Sequence, residues 1–403
     1  MIKINQVHHN QVHQENHENH GSDNVESEAG MSEWKECKLG DIASSNLKSI
    51  TKDYSYETIY YLDTGSITCG KLESYQKLSL GDSPSRAKRI VSDNDIVYSN
   101  VRPIQRHYGI IKNPPENLIA STGFSVISVD KTKADARFVY DFLTSNEIVE
   151  YLDSVAEGST SAYPSLRPAD IDNLTILLPP LPEQKAIASV LSSLDNKIDL
   201  LNRQNKTLEA MAETLFRQWF IEPCKDGLPQ GWREGSLFDV IELHYGKGLK
   251  TEERAGNGYP VVGSSGIVDY HSDFLVEGPG IVIGRKGTLG KVIYLWDSFY
   301  PIDTTYYIKS KIESAGLLYE YFLLKTINFE DMNTDSAVPG LNRDIALSTE
   351  IQIPPKHNVY KFNDLAVTFT NKLKNNLDKI HILEKLRDTL LPKLMSGEVR
   401  VTV

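Results

Sequence analysis

The chain predicts an α+β fold: two tandem mixed α+β domains, each followed by a long helix, the two helices packed as an antiparallel coiled coil with pseudo-two-fold symmetry. Three observations predict it. First, a phrase recurs half a chain apart: Trp34-Lys35-Glu36 with Leu39, Asp41 and Ile42 returns as Trp232-Arg233-Glu234 with Leu237, Asp239 and Val240. Second, Leu166, Ile176, Pro179 and Pro180 return as Leu341, Ile351, Pro354 and Pro355, and a heptad-patterned segment follows each copy. Third, short β-branched and aromatic runs punctuated by Gly, Asn and Asp fill both interiors. In chain order this gives a tail (1–31), a first domain (32–180), a central helix (181–221), a second domain (222–355), a distal helix (356–397) and a short end (398–403).

The register of the repeat separates scaffold from variable part. The opening phrases are offset by 198 residues, whereas from Leu166/Leu341 onward the offset is 175 and stays constant through the helices: Asn196-Lys197 matches Asn371-Lys372, Leu208-Glu209 matches Leu383-Glu384, Thr214-Leu215 matches Thr389-Leu390. The interiors hardly resemble each other. Constant ends around divergent middles describe a fixed scaffold carrying two different recognition surfaces, set against the neutral drift open to any loop.

The tail holds five of the ten histidines (His8, His9, His13, His17 and His20), many Asn and Glu residues and no apolar periodicity. It reads as a disordered leader, with Met31 a second candidate start. Its Lys3, Glu15, Glu18, Asp23, Glu26 and Glu28 carry −4 of the net −11, leaving −7 for the folded part. Nucleic-acid contacts depend on local Lys and Arg clusters, so this acidity is a weak veto and instead suggests more basic partner subunits. Cys37, Cys69 and Cys224 show no metal-ligand spacing, and no apolar run is long enough to cross a bilayer. The expectation is a reduced, cytoplasmic protein with no metal site and no membrane association.

Pro182-Glu183-Gln184 opens the central helix, with Pro in the first turn and acid near the positive end of the dipole. Its apolar seam runs Ile187, Leu191, Leu194, Ile198, Leu201, Asn205, Leu208, Ala212 and Leu215, in alternating steps of four and three. The distal seam runs Phe362, Ala366, Phe369, Leu373, Asn376, Ile380, Leu383, Arg387 and Leu390, ending near Pro392 with Ser396-Gly397 as the stop. The polar positions Asn205 and Asn376 are not equivalent in the repeat. If the two-fold crosses near residue 203 they face each other and fix the register at some cost in stability; the alternative is that both amides are solvated at the seam edge.

The interiors carry strand signals at Ile59-Tyr60-Tyr61-Leu62, Asp95-Ile96-Val97-Tyr98, Phe124-Ser125-Val126-Ile127, Gly280-Ile281-Val282-Ile283 and Thr305-Tyr306-Tyr307-Ile308, and helical patterns at Ala136–Leu143 and Leu317–Leu324. Two catalytic near-motifs fail. Asn113-Pro114-Pro115-Glu116 has Glu where an amino-methyltransferase needs a base-stacking aromatic, and no glycine-rich cofactor loop precedes it. Gly287-Thr288-Leu289-Gly290-Lys291 lacks the first glycine of a phosphate loop, with Arg285 there and Val292 in place of Ser/Thr. Both segments read better as turns between strands.

Binding loops remain. In the first copy Ser99-Asn100-Val101-Arg102-Pro103 follows a strand, with Arg106 and His107 beyond it and Arg86, Lys88 and Arg89 upstream. At the matching strand end of the second copy stand Arg285, Lys286 and Thr288, with Lys247, Ser264 and Ser265 upstream. Ser161 and Ser336, also equivalent, precede each final strand. Arg and Lys contact guanine or phosphate, Asn reads adenine, and glycine lets backbone approach a ligand. One such cluster is usually a solvated loop; two at equivalent positions favour DNA.

The run Leu178-Pro179-Pro180-Leu181-Pro182-Glu183-Gln184-Lys185-Ala186-Ile187-Ala188, then Leu191-Ser192-Ser193-Leu194-Asp195, Lys197-Ile198 and Leu215-Phe216-Arg217 with Trp219-Phe220, resembles the central conserved region of type I restriction–modification specificity subunits. Ile380 to Ser396-Gly397 resembles their distal conserved region. Gly258-Tyr259-Pro260, Gly263-Ser264-Ser265-Gly266 and Tyr300-Pro301-Ile302-Asp303-Thr304-Thr305 resemble one of their target-recognition domains. The resemblance spans residues 32 to about 398, with one departure: His357-Asn358 stands where the family has Pro-Glu.

The resemblance implies that each domain reads one half of a bipartite double-stranded DNA site and that the helices fix the spacing. The seam residues from Ile187 to Leu208 and from Phe369 to Leu383 would also dock two copies of a modification subunit, which binds S-adenosylmethionine. A restriction subunit using ATP and Mg²⁺ can join. This chain would itself hold no catalytic residue and no cofactor. The competing reading is a non-DNA scaffold whose tandem domains bind protein or glycan; a lone methyltransferase or nuclease is disfavoured by the missing motifs.

Overall fold

The repeat seen in the chain is a repeat of architecture. The computed structural model describes residues 34–51, 53–158, 164–313, 316–332 and 340–401, and the backbone of 4–6. It divides into two units: Met1–Ile198 with Ile382–Val403, and Asp199–His381. Each unit therefore takes one globular region, one stretch of the central helix (Leu181–Phe216) and one stretch of the distal helix (Lys356–Ser396).

The first unit contains an antiparallel sheet in the order Tyr108–Ile110, Ile96–Ser99, Phe124–Val129, Ala43–Ser45. The second contains Val292–Leu295, Gly280–Gly284, Thr305–Ser310, Ile241–Tyr245, again antiparallel throughout. A second sheet has a parallel pair in both: Thr58–Leu62 beside Leu118–Ser121, and Tyr259–Gly263 beside Tyr300–Pro301. A two-stranded ribbon ties each domain's first strand to its last, Lys35–Lys38 to Thr175–Leu178 and Arg233–Ser236 to Glu350–Ile353. These ribbons hold the repeated residues, so the constant ends of the sequence are the clasp that closes each domain. Helices Ala136–Leu143 and Leu318–Lys325 pack as the 3.6-residue pattern anticipates.

Apolar stripes of both long helices enter these cores. In the first unit Ile187 and Leu191 join Phe138, Leu152, Ile176 and Leu394. In the second, Ala212, Phe216, Phe362 and Ala366 join Tyr319, Ile283 and Ile351. Every residue of both heptad seams is buried or half-buried. In the second unit the helical segments run antiparallel, with Phe216 against Phe362 (ring centroids 5.6 Å) and Asn205 against Asn376. The two amides meet as the register argument anticipates: Asn376 Nδ2 donates to Asn205 Oδ1 at 2.9 Å, both side chains buried. In the first unit the polar seam contact is an ion pair, Arg387 with Asp195 at 3.1 Å, and Arg137 shares the same carboxylate.

Three local features go beyond the sequence expectation. Glu183 is the first-turn acid anticipated, and it is buried: it accepts from Trp34 Nε1 at 3.1 Å and pairs side-on with Arg400 through Nε (2.6 Å) and Nη2 (2.8 Å). Gln184 beside it accepts from Asp135 N–H and donates to the Pro179 and Lys133 carbonyls. The distal helix stops where the sequence places the stop, at Ser396 with Gly397 left-handed at φ +76°, and it continues through Pro392 to reach it. Proline removes one helical N–H bond there, and burial of Leu394 with Met395 in the first unit's core holds the remaining turn. Finally, Ile4–Gln6 in the tail pair as a strand with Val399–Val401, where the sequence shows no apolar periodicity. The rest of residues 1–31 lies outside the described residues.

Candidate nucleic-acid interface

The two strand-end loops occupy the same place in each unit. In the first, Asn100 follows strand Ile96–Ser99, and its carbonyl accepts Leu166 N–H at 2.7 Å. In the second, Arg285 follows strand Gly280–Gly284, and its carbonyl accepts Leu341 N–H at 2.9 Å. The next residues form matching bridges, Val101 to Ser165 and Lys286 to Gly340. Leu166 and Leu341 are the residues at which the 175-residue offset begins. The divergent loops are thus pinned to the constant frame at one equivalent point.

In the second unit the loops converge. Arg285 and Lys286 N–H both bond the Thr304 carbonyl, and Lys247 N–H bonds that of Pro301. Lys291 Nζ reaches the Ser265 carbonyl at 2.6 Å. Two glycines make this convergence possible: a Cβ on Gly246 would lie 2.1 Å from the Ile302 oxygen, and one on Gly284 would lie 2.1 Å from the Thr288 oxygen. Lys247, Ser265, Lys286 and Thr288 are exposed; Ser264 and Arg285 are half-buried.

The Arg285 guanidinium lies 4.9 Å from the Tyr245 ring centre and 5.7 Å from that of Tyr306, and its Nη1 donates to the Asp303 carbonyl at 2.9 Å. Arg343 lies 5.6 Å from the Tyr245 ring. Burial, with Tyr245 beside it, pushes the Tyr306 phenol up to about 12, and its hydroxyl donates to the Leu341 carbonyl at 3.0 Å.

The first unit arranges its residues differently. Arg102 and Arg106 are both left-handed (φ +46° and +59°) and bracket the short turn Pro103–Gln105. A non-glycine residue in that region is strained, so two arginines held there mark a constrained loop. Arg102 is exposed; Arg106 donates to Asn146 Oδ1 at 3.0 Å. Arg86 is tied to the same area, since its carbonyl takes Thr122 N–H while the neighbouring Gly123 carbonyl takes Asn100 N–H. Its guanidinium pairs with Asp63 at 3.0 Å and with the Tyr61 hydroxyl at 3.1 Å, both of which raise its pKa. Arg89 donates to Ser49 Oγ at 3.2 Å, with Lys88 exposed beside it.

Two anticipated surface contacts are turned inward. Ser99 is buried and exchanges hydrogen bonds with the Val101 backbone. Asn100 is buried and accepts from Ser125 Oγ at 2.7 Å. The Ser99 hydroxyl and the Asn100 Oδ1 are thus engaged in shaping the loop. Ser161 and Ser336 lie outside the described residues. Tyr245, Lys291, Arg343 and Lys48 were not singled out as contacts in the sequence. Lys48 lies on the Arg89 edge, where its carbonyl accepts Ile90 N–H. Arg343 carried a usable signal, since it stands two residues after the repeat marker Leu341.

Two unlike basic loop clusters on one repeated frame define a two-headed recognition protein. The chain belongs to the type I restriction modification DNA specificity domain family, whose family model matches residues 31–210 and 229–387. It is 24% identical to the HindI type I restriction enzyme specificity subunit of Haemophilus influenzae, covering 92% of this chain and all of that one. It is 28% identical to the MjaIX specificity subunit of Methanocaldococcus jannaschii, covering 78% and 79% of the two chains. The crystal structure of a type I restriction–modification S subunit from M. genitalium shares the fold, with a TM-score of 0.60 at 18% identity over 92% of this chain and 98% of that one. No helix among the described residues is long and apolar enough to cross a membrane.

Proposed function

We propose that the chain is the non-catalytic, cytoplasmic specificity subunit of a type I restriction–modification complex, each unit reading one half of a bipartite double-stranded DNA site. The carrying observation is the shared anchor: Asn100 to Leu166 in one unit and Arg285 to Leu341 in the other, one frame presenting two different loops. Different residues at equivalent points select different half-sites. The paired helices set the distance between half-sites and dock two copies of a modification subunit. S-adenosylmethionine is bound by that partner, and ATP and Mg²⁺ by restriction subunits where these join.

An electrophoretic shift on random-sequence duplex DNA, with and without the modification subunit, tests the reading. Binding that falls steeply with added salt is expected, because phosphate contacts release counterions. No shift even with the partner present would sink it in favour of a scaffold that binds protein or glycan.

A further inference from the structure

Tyr245 is a large aromatic left 50% exposed at the rim of the second unit's loops, with two guanidiniums close to its ring. Two cations at one ring repel each other. Among the described residues Arg285 has no carboxylate within ion-pair distance, and Arg343 has only a long 3.5 Å contact to exposed Asp344. Such a concentration of positive charge persists where an anionic or acceptor-rich ligand completes it.

The two arginines are held to different degrees. Arg285 is half-buried and fixed by two rings and one carbonyl, so its planar donors are immobilised before any ligand arrives. Arg343 is exposed and tethered only by its approach to Tyr245. A fixed guanidinium suits the two acceptors, O6 and N7, on the major-groove edge of guanine, which demand one geometry. A mobile one suits phosphate, which accepts from many directions.

We propose that Arg285 reads a guanine in the half-site taken by the second unit, that Arg343 contacts an adjacent backbone phosphate, and that Tyr245 is the positioning residue that sets Arg285. This rests on the DNA reading above and adds a base identity, a phosphate and a supporting ring to it. Backbone geometry supports the placement. Arg285 N–H is bonded to Thr304 and its carbonyl to Leu341, so the side chain leaves a strand end clamped on both sides.

The test uses the full chain with its modification subunit and a duplex library randomised on both sides of a spacer of varied length. Bound DNA is sequenced. The wild-type complex should enrich a bipartite motif with a guanine in one half. Arg285→Ala should lose selection at that guanine by about tenfold to a hundredfold, while the other half-site stays selected and so reports intact folding. Arg343→Ala should weaken all sequences alike and lower the salt slope by about one. Tyr245→Phe should keep the guanine preference, because the ring remains, and Tyr245→Leu should reduce it.

Failure of the wild-type complex to enrich any motif would overturn the DNA reading itself. A wild-type motif that Arg285→Ala leaves unchanged, or in which the affected position is not guanine, would overturn this inference and leave the reading beneath it standing.

Discussion

At one register position the two units hold opposite chemistries. In the first, Asn100 turns inward to the Ser125 hydroxyl. In the second, Arg285 stands in its place, and the residue at the register position of Ser125 is Tyr306. The backbone bonds around the two positions match, so the difference is one of side-chain volume and charge. A serine leaves room for an amide to enter the core. A tyrosine fills that space, and its ring offers a face against which a guanidinium rests. The frame is therefore indifferent to what the strand end presents, and the first unit displaces its exposed arginine two residues onward, to Arg102.

The sharpest contrast is at the helix starts. Glu183 is buried and paired with Arg400 and Trp34, whereas the distal helix has Asn358 at the equivalent place, half-buried, with no side-chain hydrogen bond among the described residues to match. Glu183→Ala removes the buried acceptor of Trp34 and of two Arg400 nitrogens and should cost about 1.5–3 kcal/mol. Asn358→Ala should stay within about 0.5 kcal/mol. Urea unfolding of both variants checks this, and equal losses would break the comparison.

Buried carboxylates give the next difference. Asp141 on helix Ala136–Leu143 has an arginine partner, Arg137, at 2.8 Å. Glu320 on helix Leu318–Lys325 has no such cation among the described residues: Ser310 donates to one of its oxygens, and each carboxylate keeps one buried oxygen unpartnered, Asp141 Oδ2 and Glu320 Oε2. Burial pushes Glu320 up to about 7, and Asp141 as far despite its arginine, so the difference between them lies in the partner and not in the direction of the shift. The folded state then holds a proton between the ordinary glutamate range and about pH 7 that the unfolded chain has released, so this group's contribution to stability falls as pH rises through that window. Glu320→Gln should stabilise by up to about 3 kcal/mol at pH 8, with the gain fading toward pH 5. Thermal melts across pH test it, and a gain independent of pH would show that charge is not the cause.

How much of this was legible in the sequence depended on whether a feature is periodic. The seams and strands were readable because heptads and alternation survive in one dimension. The Asn205–Asn376 contact followed from the repeat offset combined with antiparallel packing. Glu183 was readable as a first-turn acid, but its partners Trp34 and Arg400 were not, because they lie 149 and 217 residues away and leave no local pattern. Tyr245 and Arg343 meet across 98 residues with no shared pattern. Ser99 and Asn100 looked exposed because loop polarity says nothing about which way a strand end turns.

The seam contacts of the two units differ in kind as well, an ion pair at Asp195–Arg387 and an amide pair at Asn205–Asn376. The amide pair makes one bond at 2.9 Å and leaves Asn205 Nδ2 and Asn376 Oδ1 unpartnered. Replacing both by Leu should be neutral or stabilising. Relative to that double variant, Asn376→Leu alone should cost about 1–3 kcal/mol, because it abandons a buried amide. A double-mutant cycle by urea unfolding measures the coupling, and additivity would mean that the two amides act independently.

The smallest expected change in stability tests the strained loop of the first unit against the clamped loop of the second. Arg102 pays for a left-handed backbone that glycine adopts freely. Arg102→Gly should therefore leave stability unchanged or raise it by up to about 1 kcal/mol, although a more flexible unfolded chain offsets part of the gain. If the strain exists to aim the arginine, the same variant should weaken selection of the first unit's half-site while the half-site lost in Arg285→Ala stays intact. Library selection with both variants reads this directly. Equal loss at both half-sites would mean that the units do not read independently, and a stabilised variant with unchanged selection would mean that the left-handed turn serves the loop's path and not its ligand.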